Sequence, residues 1–338
     1  MCLTEKPRIV ITGGSGYVGH SVAISLKNVF NVRALDLRKP QGSVQDIEYV
    51  CCDVTRPHDV EKGLKDADLV IHAAIVQIPL INCKQRLAYE VNIIGTQNVC
   101  QVVRDNPSIK GMILPGSWHT LGERGLRGII DEEFGFRPDK VEERARLYVL
   151  SKIAQESIVR FYDEMSEKIF GVIRMGTVLG EGMPSETAAN IFVENGLKGE
   201  PITPHKHTMN RPRLYVDISD VCRAFGQFAT KILNHKIRKA TNSLAHIVNV
   251  YYPEPITILQ LARIVQKAIT EYAPTVCPRI QVISKGQESL FEENDKDEIK
   301  PDITRAVRLL ELTSLKSPEE SIRQIVRDRV WAIKMRRP

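Results

Sequence analysis

Nothing in this 338-residue chain points to a membrane, a metal centre or a disulfide framework. No uninterrupted apolar run approaches the roughly 20 residues of a membrane-spanning helix. Glu5, Lys6 and Arg8 break up the amino terminus, so no signal peptide is read there. The seven cysteines (Cys2, Cys51, Cys52, Cys83, Cys100, Cys222 and Cys277) are odd in number, scattered and never spaced Cys-x-x-Cys. That pattern suits a reducing compartment, and cytoplasmic residence is expected. Aromatic residues make up only 6% of the chain and do not interleave with basic ones, which speaks against nucleic acid as a partner. The formal charge of +6 is modest, and much of the excess falls between Arg323 and Arg337, most simply a solvated helix face. His205 and His207 have no evident third ligand, so no metal is expected.

What is present is alternation. Short β-rich runs at Arg8 to Ile11, Val32 to Leu35, Glu48 to Cys51, Leu69 to His72 and Gly111 to Leu114 are separated by longer amphipathic stretches. This pattern predicts an α/β fold, a Rossmann-type doubly wound parallel sheet with helices on both faces. Further strands are expected at Ile169 to Arg174 and Ala245 to Val250. The segments 176–213 and 251–338 are richer in Pro, Gly and charge and read as a smaller, discontinuous α/β substrate lobe. Residues 1–175, with 214–250 returning, form the expected dinucleotide-binding domain. Ligands of open α/β sheets lie at the carboxyl ends of the strands, so the substrate is expected between the lobes.

Thr12-Gly13-Gly14-Ser15-Gly16-Tyr17-Val18-Gly19 follows the first strand directly and opens a helix-forming stretch from Ser21 to Lys27. Glycines there permit a tight turn, close approach of backbone N–H groups to a pyrophosphate and close helix–strand packing. Asp36 ends the second strand, seventeen residues past Gly19, where a carboxylate can accept both ribose hydroxyls of NAD and repel a 2′-phosphate. Arg38 and Lys39 leave some room for NADP. Asp53-Val54 and Ala73-Ala74, after the third and fourth strands, are placed to meet the adenine edge and the passing cofactor backbone.

Tyr148 and Lys152 stand four residues apart in a segment with helical apolar spacing, so they share one face. An ammonium near the phenol would favour phenolate and make Tyr148 a general base. Ser117 follows the fifth strand run in Leu114-Pro115-Gly116-Ser117, which puts a hydroxyl at the carboxyl edge of the sheet, where it could polarise a developing oxyanion.

Together, the Gly-rich loop, Asp36, Ser117 and Tyr148-x-x-x-Lys152 resemble the extended short-chain dehydrogenase/reductase family, in particular its NAD-dependent epimerases and dehydratases. The resemblance implies NAD as cofactor, with Ser117, Tyr148 and Lys152 as the catalytic set. Asn92 is similar to the family's central-helix asparagine, and Arg174 followed by Val178-Leu179-Gly180 also matches. Arg213-Leu214-Tyr215-Val216-Asp217 resembles the segment whose Arg clamps a substrate diphosphate, and Asn190 is expected on the substrate side. A homodimer is implied, through a bundle of the helix near Leu87 to Val103 and the Tyr148 helix.

Dehydratases of this family carry Asp-Glu after the Ser or Thr, where this chain has Trp118-His119, and its decarboxylases place Glu where His119 stands. The expected reaction is therefore epimerisation of a nucleotide-diphosphate sugar at C4. His119 is a further acid/base candidate or a hydrogen-bonded bystander. A net dehydrogenase, reductase or decarboxylase acting on a sugar nucleotide or other small alcohol, and a non-catalytic NAD sensor, stay open. Val149 is bulkier than the family's Gly or Ala, and no late Arg-x-Gly-Asp is evident, which touches the substrate more than the fold.

Overall fold

The computed structural model describes residues 6–40 and 42–335. Cys2, Glu5 and the pair Arg336 and Arg337 fall outside the described residues. Seven strands form the central sheet: β1 (Arg8–Thr12), β2 (Asn31–Asp36), β3 (Ile47–Cys51), β4 (Leu69–His72), β5 (Gly111–Ser117), β6 (Ile169–Met175) and β7 (Ile247–Val250). Their order is β7-β6-β5-β4-β1-β2-β3, and every pairing is parallel. Parallel strands need crossovers, and the helices α1 (Tyr17–Leu26), α2 (Pro57–Gly63), α3 (Thr96–Asp105), α4 (Glu143–Glu164) and α5 (Ile218–Leu233) lie between successive strands. The doubly wound sheet expected from the alternation is the fold observed. The chain reverses its direction of travel across the sheet between β1 and β4, which places a crevice at their carboxyl ends.

Two features differ from the sequence reading. Strand β5 runs three residues past the expected end, through Pro115. Strand β4 pairs with it only as far as Ile113, and the Pro115 carbonyl is taken by Lys152 Nζ at 2.7 Å, so the missing N–H breaks no pairing with β4. The run expected near Leu87 to Val103 is not one α-helix. Residues Glu90–Gly95 form a π-helical turn between Gln85–Tyr89 and α3. That turn carries Asn92, which is fully buried.

Apolar side chains on both faces of the sheet form two clusters, one with α1 and α5, the other with α3 and α4. A third cluster joins Phe192 and Val193, Leu261 and Val265, and Ile322 and Val326, from the helices Ala188–Leu197, Ile258–Tyr272 and Pro318–Met335. No helix of the described residues is long and apolar enough to cross a membrane.

Candidate active site

The glycine loop closes on itself. Gly13 adopts φ +66°, and a Cβ there would lie 2.6 Å from the backbone of Ala73 and Ala74, while one on Gly19 would overlap the Gly13 carbonyl oxygen. Side chains are thus excluded where the loop backs against the end of β4. Helix α1 starts after Gly16 with no side-chain cap and no acidic residue in its first turn. Its first N–H groups and partial positive charge remain for an anion. Asp36 Oδ2 accepts the Ser15 N–H at 3.1 Å, which fixes the carboxylate at the rim of the same loop. Asp53 is used within its own turn, accepting from Thr55 N and Oγ1, and Val54 packs against Gly95. The Tyr17 hydroxyl is buried beside Gly180 without a hydrogen-bond partner. An anion-seeking helix start, a cradle too tight for side chains and a carboxylate at its edge fit a dinucleotide.

Helix α4 carries the reactive face. Tyr148, Ser151, Lys152, Gln155 and Glu156 follow the i, i+3, i+4, i+7, i+8 spacing; Tyr148 is half-buried and the other four are buried. Asn92 locks this face to the loop after β4: its amide oxygen accepts from Val76 N (2.7 Å) and its nitrogen donates to Ser151 Oγ (3.1 Å). Beyond it runs a hydrogen-bonded chain that sequence reasoning missed. Thr12 Oγ1 lies 2.7 Å from His72 Nδ1, His72 Nε2 lies 2.9 Å from Thr96 Oγ1, and Gln155 donates to that same hydroxyl. Burial, aided by Lys152, takes His72 down to about 3, so its ring is neutral. The glycine loop and the reactive helix are therefore tied together through one buried imidazole.

The ammonium does not act on the phenol as the sequence suggested. Burial pushes the Tyr148 phenol up, with only the hydrogen bond from Ser117 opposing it. Lys152 points instead at the Pro115 carbonyl, and burial takes it down from 10.5 to about 7 against the attraction of Glu156. In the protein by itself the cost of burying charge exceeds the help each group gives the other. A stability consequence follows. The unfolded lysine keeps its proton up to its ordinary value, so between about 7 and 10.5 the unfolded chain binds more protons and stability rises with pH. In urea titrations the stability of wild type relative to Lys152→Met is expected to grow from about pH 7 to about pH 9; a constant difference would exclude the shift.

Glu156 forms a buried bidentate pair with Arg174, at 3.0 and 2.7 Å. A separate cavity lined by Glu132, Phe136, Arg160, Arg174, Asn242 and Leu244 lies beside that pair, and none of the catalytic candidates lines it. Ser117, at the tip of β5, has its Oγ 3.2 Å from His119 Nδ1, and the His119 ring stands edge-on to Tyr148 with centroids 6.3 Å apart. Three expected catalytic groups and His119 therefore meet at one sheet edge. Arg213 reaches the same place, but its Nη1 is bonded to Glu123 (2.8 Å) and His119 (2.5 Å). Asn190 lies apart, its amide bonded to Glu194 and Arg329. Each of these partners takes one position of the amide, so one N–H and one oxygen lone pair remain for the proposed substrate contact.

Residues 9–242 match the family described as NAD dependent epimerase/dehydratase. Among curated proteins, the chain is 33% identical over 104 residues to human short-chain dehydrogenase/reductase family 42E member 1, covering 29% of this chain and 26% of that protein. It is 26% identical over 208 residues to the Bos taurus sterol-4-alpha-carboxylate 3-dehydrogenase, decarboxylating, covering 59% and 55%. The chain thus spans about half or less of the length of these relatives. Among solved structures, UDP-glucuronic acid 4-epimerase from Bacillus cereus, in complex with UDP-glucuronic acid and NAD, superimposes with a TM-score of 0.73 at 19% identity, over 96% of this chain and 99% of that one.

Proposed function

The chain belongs to the NAD dependent epimerase/dehydratase family, with NAD as its cofactor, and from that premise we propose that it is a nucleotide-sugar epimerase working at the 4-hydroxyl. The observation that carries the reading is the meeting of Ser117, Tyr148 and anchored Lys152 at the tip of β5, with Trp118-His119 rather than an acidic pair following the serine. Trp118 stands where a dehydratase would need a carboxylate, and its buried ring donates from Nε1 to Thr177 Oγ1.

The cofactor would be held by Gly13, Gly16, Tyr17, Val18, Gly19, Asp36, Asp53, Val54, Ala73, Ala74 and Asn92, with Tyr148 and Lys152 at its reactive end. When bound, NAD supplies a hydride acceptor that also returns the hydride. Tyr148 takes the 4-hydroxyl proton as that carbon is oxidised and gives it back after the keto sugar has presented its other face. Ser117 donates to the same oxygen as its charge changes. Lys152, fixed to the Pro115 carbonyl, stands one turn along α4 from the phenol, where it would favour phenolate only in its protonated form. Arg213 spends only Nη1 on Glu123 and His119, which leaves Nε and Nη2 for a diphosphate oxygen.

The remaining expectations join this proposal. Residues 1–175 with 214–250 carry the cofactor, and 176–213 with 251–338 carry the sugar nucleotide. A homodimer is supported by exposed Leu87, Tyr89 and Ile94 beside exposed Leu147, Leu150 and Phe161 on α4. Among the described residues the six cysteines are free, which suits the proposed cytoplasmic residence.

A second reading, a net NAD-dependent dehydrogenase of another small alcohol, is favoured by the partial commitment of Arg213 to Glu123 and His119. One experiment separates them. NAD-loaded protein is incubated with UDP-, GDP- and dTDP-sugars while sugar stereochemistry is followed by NMR and reduced nicotinamide by absorbance. Epimer formation without accumulating NADH is expected; stoichiometric NADH favours the dehydrogenase, and no change in any sugar rejects the epimerase.

A further inference from the structure

His119 sits inside a ring of charge for which epimerisation has no evident use. Glu123 follows the 3-10 turn that begins at Trp118, Arg211 and Arg213 flank Pro212, and Glu142 and Arg144 open α4. Glu123 and Arg211 are only 4% and 3% exposed, so their charges must be matched within the protein. The Glu123 carboxylate accepts from Arg213 Nη1 and lies 3.5 Å from both Arg211 Nε and His119 Nε2. Arg213 and Arg211 hold its carboxyl below the usual range despite burial.

The decisive distance is 2.5 Å, from Arg213 Nη1 to His119 Nε2. A guanidinium only donates hydrogen bonds and does not lose its proton. Two N–H groups cannot face each other at that separation, so Nε2 must present its lone pair. A neutral imidazole with a bare Nε2 carries its hydrogen on Nδ1. Nδ1 lies 3.2 Å from Ser117 Oγ, and the His119 backbone N–H donates to that same oxygen at 3.3 Å. Both lone pairs of the serine hydroxyl are then engaged by one residue. Its own hydrogen has to point elsewhere; the Tyr148 ring stands 6.3 Å from the imidazole, and Ser117 eases the ionisation of its phenol.

We propose that Glu123 and Arg213 are positioning residues that hold His119 with its hydrogen on Nδ1, and that His119 thereby makes Ser117 an obligate hydrogen-bond donor toward the reacting oxygen. The inference rests on the proposed function only for the identity of that oxygen. Burial and the neighbouring Arg213 take the imidazole down to about 3, with Arg211 and Arg144 adding to the effect and Glu123 opposing it. His119 therefore stays neutral at physiological pH and does not act as the second acid. A serine barred from accepting stabilises a phenolate or a carbonyl oxygen in preference to a hydroxyl, which fits a site where an alcohol becomes a ketone.

The test is a long-range proton–nitrogen correlation spectrum of NAD-loaded, full-length protein labelled at histidine nitrogen, with His119 assigned by comparison with His119→Asn. Protonated Nδ1 and bare Nε2 at neutral pH are expected; a protonated Nε2 or an imidazolium overturns the proposal. Kinetics give a second readout with epimerase substrates. His119→Phe is expected to lower kcat roughly ten- to hundredfold, the range that outer-shell hydrogen-bond partners command at metal-bound histidines, with KM little changed. His119→Asn, whose amide can still donate to Ser117, is expected to recover most of that loss; equal losses in both variants overturn the role given to Ser117. Should no sugar nucleotide turn over, the proposed function falls while the nitrogen spectrum still decides this inference.

Discussion

Replacing Tyr148 with Phe is expected to lower kcat by roughly 10²- to 10⁴-fold, the contribution typical of a positioned general acid–base, while NAD binding survives. On α4 the phenol is the group whose ionisation Ser117 eases, and Lys152 is held away from that role by its bond to the Pro115 carbonyl. His119 is a poor substitute as a base, because burial and Arg213 take its imidazole down to about 3 and its Nε2 is occupied by Arg213. The variant removes one oxygen and leaves the ring, so the fold should be unaffected. Steady-state rates and a calorimetric NAD titration on the same preparation check it. A rate within tenfold of wild type, with cofactor bound, would remove Tyr148 from the chemistry.

Arg174→Ala is expected to destabilise the fold by about 3–5 kcal/mol, the loss seen when one partner of a buried ion pair is removed. Arg174 and Glu156 are each 1% exposed, and Arg174 also donates to the Glu132 carbonyl at 3.0 Å. Removing the guanidinium strands the Glu156 carboxylate, leaving Lys152 one turn away as the nearest compensating charge on its helix face. A further consequence would be a perturbed Lys152. The pair is not expected to be worth that much relative to an apolar one: Arg174→Met combined with Glu156→Met should restore much of the loss. Urea unfolding of the single and double variants decides it, and a loss below about 1 kcal/mol for the single change would contradict the burial argument.

Local features of the site were legible in the sequence because their geometry is set within a few residues. Leu69 to His72 was read as a strand at its observed bounds, and the Gly13 to Gly19 loop fell between a strand and a helix as required. Tyr148 and Lys152 could be placed on one face from helical spacing alone. The end of β5 was missed because Pro115 argues against a central strand, and only the early end of β4 and the Lys152 bond make it tolerable there. The Glu123–Arg213 bond joins residues 90 positions apart, and no local pattern encodes such a pairing. Two omissions did leave a signal. Glu156 extends the Tyr148–Lys152 stripe by another turn, and a carboxylate on a buried stripe demands a buried cation. His72 closes an otherwise apolar strand, where a polar ring needs partners on both nitrogens. Asn190, expected on the substrate, also pairs with Glu194 one turn away and with Arg329, 139 positions on, and the second of these contacts has no local signature.

Hydride transfer paired with the Tyr148 proton is tested most directly with a nucleotide sugar deuterated at carbon 4, incubated with NAD-loaded protein and followed by NMR. The expected result is inversion at carbon 4 with the deuterium retained there in both epimers and no free NADH, since the hydride leaves and returns within one active site. Loss of the label to solvent, or its appearance in released NADH, would contradict it.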